Sequence, residues 1–140
     1  MPIYVEIMGV QGAIKGTGPN GQWGALSFSW GVTDPRDATT GLASGKRQHK
    51  PFILMLDFSP NIAALMTAIA TNETLKQVVV YLVSDDGATY GEILLTNAAL
   101  SEFDMSSGGD RPTESLWFTY QSIEFSADGS VYRDNWEAVT

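Results

Sequence analysis

Cysteine is absent, histidine occurs once, and 8 lysine and arginine residues stand against 16 aspartate and glutamate residues. Without thiols the chain has neither disulfide staples nor thiolate chemistry. A net charge of −8 and a pI near 4.4 lack the basic face that nucleic-acid binding needs, so no nucleic-acid partner is expected. No run approaches the ~18 consecutive apolar residues of a membrane span, so no membrane insertion is expected. The opening MPIYVEIMGV lacks a charged leader followed by an apolar run, so no signal peptide is visible. The expectation is a protein folded in the cytoplasm, with any export by a route that reads no N-terminal signal.

Catalytic motifs are equally scarce. The lone His49 lies in Arg47-Gln48-His49-Lys50 without the further ligands a metal would need, and an exposed or interface position is expected for it. The glycine-rich residues 9–24 do not end in the Lys-Ser or Lys-Thr of a phosphate loop. Ser27 and Ser29 lack the GxSxG setting of a nucleophile elbow. Asp85-Asp86-Gly87 is not followed by a calcium loop and reads as a turn. Glu92, Glu102 and Glu114 are scattered singly, as on solvated strands. The reading is a non-enzyme without cofactor or metal.

What the chain does have is strand periodicity. Hydrophobic residues make up 44% of 140 positions, enough for one domain spanning 1–140 with its own core. Ile3, Val5 and Ile7 alternate with Tyr4 and Glu6, the period of a half-buried strand. Leu26, Phe28, Trp30 and Val32 alternate with Ala25, Ser27, Ser29 and Gly31, which points Leu26, Phe28 and Trp30 into the core and Ala25, Ser27 and Ser29 onto the opposite face. Further strands are expected over 50–58, 75–84, 90–103, 114–125 and 131–136, with turns at Asp85-Asp86-Gly87 and Asp128-Gly129. Ile62, Leu65, Met66 and Ile69 fall at helical spacing after Ser59-Pro60, a cap and first-turn pair, and Asn72 is a plausible stop. The fold class is mainly β: a β-barrel of two antiparallel sheets with one inserted or flanking helix at about residues 60–72. Residues 33–47 form a long polar connection, a length that compact domains usually keep for a purpose.

Three strands are apolar on both faces. Val79, Tyr81 and Val83 oppose Val78, Val80 and Leu82; Phe52, Leu54 and Leu56 oppose Ile53 and Met55; Leu116, Phe118 and Tyr120 oppose Trp117 and Ile123. A strand with one solvated face should alternate with polar residues. One short helix cannot comfortably cover three such strands, so a symmetric homo-oligomer is expected to bury the remainder. A different class of protein fits the composition as an alternative: a monomeric or dimeric β-sandwich module binding a ligand such as carbohydrate, with Trp23, Trp30, Trp117 and Trp136 as stacking platforms.

Several stretches in order resemble one family. IYVEIMGVQG, LSFSWGV, SGKRQHKPF and GGDRPTESLWFTYQSIEF, followed by VYRDNW, resemble the Hcp family of type VI secretion tube proteins over nearly the whole chain. FILMLDFSPNIAALM departs from it in being more apolar than the usual version. The resemblance implies a barrel of two sheets with a flanking helix and a homo-hexameric ring. It further implies stacking of rings into a tube that acts with a spike and a contracting sheath, a lumen that carries effectors, and secretion through the type VI machine without a signal peptide. It places Ser27 and Ser29 on the lumen side. It also makes residues 33–47 the connector between rings, through Asp34, Arg36, Asp37, Lys46 and Arg47.

Overall fold

The computed structural model describes residues 3–9, 12–16, 18, 21–33, 39–41, 48–57, 60–107 and 112–135. Among these the elements run β1 Ile3–Gly9, β2 Gly12–Ile14, β3 Trp23–Ser29, β4 Val32–Thr33, β5 Gln48–His49, β6 Phe52–Asp57, α1 Ile62–Ala70, β7 Leu75–Val83, β8 Thr89–Ser106, β9 Thr113–Thr119, β10 Ser122–Ala127 and β11 Ser130–Asn135. Every strand pairing is antiparallel.

The strands β8-β7-β1-β3-β6-β9 follow one another around a barrel, and a β8–β9 pairing closes it. Closure is possible because β8 is long. Its first half pairs with β7 on one side and β10 on the other; its second half, Ala99–Ser106, pairs with β9. Asn97, at φ 50, and an extra residue at Ser101 mark the bend between the halves. The β10–β11 hairpin therefore extends the sheet beyond the barrel wall. The segment 114–125, expected as one strand, is two, because Tyr120-Gln121 is where the chain passes from the second half of β8 to the first: the Gln121 N–H donates to the Thr96 carbonyl instead of continuing along β9.

The barrel interior is filled by Val5, Ile7, Trp23, Phe52, Leu54, Leu56, Val78, Val80, Ile93, Leu95, Leu116 and Phe118, all essentially without solvent contact. Ile62, Leu65 and Ala68 of α1 join the same core. The helix is shorter than residues 60–72, and its buried face runs through Ile62, Leu65 and Ala68, turned away from Met66, which faces solvent. Ser59 lies outside the described residues; the N-cap is Asn61, with no side-chain cap bond. Asn72 does end the helix. At φ 56 it sits in the left-handed region, its N–H donates to Ile69 and that of Glu73 to Ala68, the paired bonds of a Schellman close.

Two other sequence expectations change. The stretch Gly9–Gly21, whose glycines, proline and asparagine point to a loop that holds no regular element, contains the short strand β2. Trp23 explains it: fully buried, it donates from Nε1 to the Ile14 carbonyl at 2.9 Å and lies against Gly16, where a Cβ would collide with its ring. The alternation in 25–32 is also broken. Ala25 pairs with Leu56 but Ser27 pairs with Met55, so Leu26 is an extra residue in a bulge. It is 53% exposed, against the expectation that it enters the core. Phe28 resumes the inward direction, stacked on Phe52 with ring centroids 5.7 Å apart.

Candidate assembly surface and loop root

Two rows of residues cross β3, β6 and β9 on the outside of the barrel. Ser29 pairs with Ile53 and Ile53 with Trp117; Ser27 pairs with Met55 and Met55 with Ser115. Paired residues share a face, so Ser27 and Ser29, both exposed, stand beside a mixture of apolar and small polar side chains. Leu26 and Met55 are among the exposed large apolar residues. Ile53 and Trp117 are half-buried. The second apolar faces read from the sequence are thus present on β6 and β9. On β7 the outward Val79 is only 9% exposed, so the protomer itself covers much of that strand.

Of the residues assigned to ring stacking, Asp34, Arg36, Asp37, Lys46 and Arg47 lie outside the described residues. The roots of their segment are described. β4 and β5 form a separate two-stranded sheet in which Val32 pairs with His49 and Thr33 with Gln48, and Lys50 N–H donates to the Gly31 carbonyl at 2.9 Å.

His49 is not exposed. Its side chain retains 2% of its accessible surface, and Nε2 lies 2.5 Å from Asp134 Oδ2 on β11. Its ring stacks on Trp30 and meets Tyr120 edge-on. Trp30 Nε1 donates to the Tyr120 hydroxyl at 2.8 Å, and that hydroxyl donates to the Lys50 carbonyl at 2.9 Å. Burial pushes the Tyr120 phenol up to about 12, against the Trp30 bond, which favours the phenolate; Tyr132 and Asp134 add to the rise. The hydroxyl stays protonated and remains a donor. Sequence reasoning missed this cluster because its partners are far apart in the chain.

Glu114 is also misplaced by the expectation of a solvated carboxylate. It is wholly buried, and among the described residues neither carboxyl oxygen has a hydrogen-bond partner. Burial raises its pKa, Asp57 adds to the rise, and its own backbone N–H partly opposes it. The signal was available: Glu114 continues the inward row Leu116, Phe118, Tyr120. Glu92 and Glu102 are exposed as expected. Among the described residues no three His, Asp or Glu side chains converge to hold a metal ion, and no helix is long and apolar enough to cross a membrane.

Among the described residues the tryptophans do not form a platform. Trp23 is in the core, Trp30 is engaged with His49 and Tyr120, Trp117 is half-buried on a different wall, and Trp136 lies outside the described residues.

Comparison with known proteins agrees with the residue-level resemblance. A sequence comparison with curated proteins finds no match. The fold matches Hcp1 from Escherichia coli EAEC 042 with a TM-score of 0.85 at 22% identity, covering 97% of this chain and 99% of that one. The secreted protein Hcp3 from Pseudomonas aeruginosa matches at 0.78 and 23% identity, covering 97% and 100%. A type VI secretion system effector from Yersinia pestis matches at 0.75 and 16% identity, covering 97% and 99%. At these identities the structures establish the fold. The family model for "Type VI secretion system effector, Hcp" matches residues 4–126, nearly the full length, and by that match the chain belongs to the Hcp family of type VI secretion proteins.

Proposed function

We propose that this chain is the tube subunit of a type VI secretion machine: six copies close into a ring, rings stack, and the lumen carries effectors. The observation that carries this reading is the family match over residues 4–126. The outer rows of β3, β6 and β9 support it, since Leu26, Ile53, Met55 and Trp117 leave apolar surface that a neighbouring copy would cover. Within that face Ser27 and Ser29 stay wet and line the lumen. Residues 34–47 reach the next ring. The subunit has no catalytic role of its own, works with spike and sheath proteins, and leaves the cell through the machine without needing a signal peptide. Nothing in the fold favours the carbohydrate-binding alternative. Sedimentation of the purified protein at micromolar concentration tests the ring: a closed oligomer, a hexamer, is expected, and a stable monomer overturns the reading.

A further inference from the structure

A sheet of two residue pairs has almost no stability of its own. The β4–β5 sheet is that small, and the described pairings join it to no other strand. Its direction must come from side chains. Trp30 precedes it and Lys50 follows it, and the Tyr120 hydroxyl binds both, accepting from the Trp30 indole and donating to the Lys50 carbonyl. That fixes where the two roots sit. A further tie comes from a strand 85 residues away in sequence: His49 Nε2 meets Asp134 Oδ2 at 2.5 Å, with the two side chains 2% and 6% exposed. Tyr132, two residues earlier on the same face of β11, leans on Trp30 at a centroid distance of 6.2 Å and directs its hydroxyl to the same carboxylate oxygen at 3.4 Å.

We infer that His49 and Asp134 are positioning residues for ring stacking: their buried bond locks the root of residues 34–47 onto the β10–β11 hairpin and so aims that segment at the neighbouring ring. The inference rests on the proposed reading of residues 34–47 as the inter-ring connector. It gives the hairpin, which lies outside the barrel wall, a role in assembly. A bond removed from solvent holds a fixed geometry better than an exposed pair, because no water competes for its donor and acceptor. A ring multiplies the effect, since each copy contributes one connector and a stack forms only when they point the same way.

The experiment compares wild type, His49→Phe, Asp134→Ala, the double variant and His49→Gln by sedimentation and negative-stain imaging. Phenylalanine keeps the ring stacked on Trp30 and removes the bond. Glutamine places an amide nitrogen near the Nε2 position and keeps the donor. Each bond-breaking variant is expected to retain rings while the fraction of stacked rings falls by at least roughly tenfold, since every copy in the ring loses a charge-assisted hydrogen bond. The double variant should fall no further than the singles, the mark of a shared interaction. His49→Gln should stack like wild type. Exchange of the Lys50 amide, bonded to Gly31 at the loop root, should quicken in the same variants and not in His49→Gln. Stacking like wild type in His49→Phe or Asp134→Ala overturns the inference. So does loss of rings together with stacks in both, which would make the pair a general support of the fold. If wild type forms rings that never stack, the connector reading fails; the Lys50 exchange then decides the latch separately, and unchanged exchange in the variants overturns that as well.

Discussion

Glu114 is a carboxyl inside a hydrocarbon barrel, and its position makes the protein's stability depend on pH in a definite direction. Burial disfavours the charged form, and Asp57 does so further. Below the ordinary carboxylate value of 4.5 the group is protonated in both folded and unfolded chains and imposes no ionisation penalty. As pH rises above that value the unfolded chain releases the proton while the folded one retains it, so stability is lost up to the raised folded pKa. Glu114→Gln cannot ionise and should escape that loss. Its melting temperature should exceed that of the natural chain at pH 7, with the advantage shrinking as pH falls toward 4. An unbonded buried polar group costs about 1–3 kcal/mol, and the amide keeps that part, so the difference between the two chains isolates the charge. A constant difference across the pH range would mean that the Glu114 carboxyl titrates in the barrel as it does in the unfolded chain.

At the scale of elements, the β10–β11 hairpin turns on Asp128 and Gly129, at φ 49 and 81, the pair of left-handed residues that a two-residue hairpin matching strand twist requires. A Cβ at Gly129 would touch nothing, so the penalty for a side chain there is conformational alone. Gly129→Val should cost about 1–2 kcal/mol in denaturant unfolding, the price of a β-branched residue held left-handed. The loss should concentrate in β11, visible as faster amide exchange over Ser130–Asn135 while β1 and β7 stay protected. Uniform loss of protection would show that the hairpin and barrel unfold as one unit. The β7–β8 turn is built differently: Asp86 Oδ1 accepts from the Ala88 N–H at 3.1 Å and from the Ser84 hydroxyl, bonds that hold the Asp86 carboxyl below its usual value.

The whole molecule is a closed barrel with one mixed outer face and one long connection, and each invites a test of assembly. Deleting residues 38–44 should leave hexameric rings while abolishing stacks. Exposed ion pairs contribute only ~0–1 kcal/mol each, so stacking of the natural chain should also weaken with salt. Stacks that persist unchanged after the deletion would remove the segment as connector. Ser29→Gln should leave ring assembly and melting temperature nearly unchanged, since the side chain is exposed and makes no core contact. It should lower retention of an effector carried in the lumen. Unaltered effector retention by intact rings would take Ser29 off the lumen face.

Much of this architecture was legible from local patterns. Alternation located β1, short apolar runs located β6 and β7, the Asp-Gly pairs located two hairpins, and Asn72 closed the helix, because strand pleat, turn conformation and helix capping are set by neighbours in the chain. The segments resembling the Hcp family pointed to the right family without the coordinates. What escaped depended on distant partners. The Leu26 bulge follows from matching β3 to β6, and the split of 114–125 follows from β8 bending between two neighbours. From its place beside Arg47 and Lys50, His49 was expected at an exposed or interface position. It became the buried partner of Asp134 only when the barrel brought β5 against β11. Local sequence encodes direction and period; a closed sheet decides which residues meet, because pairing register is a property of two strands at once.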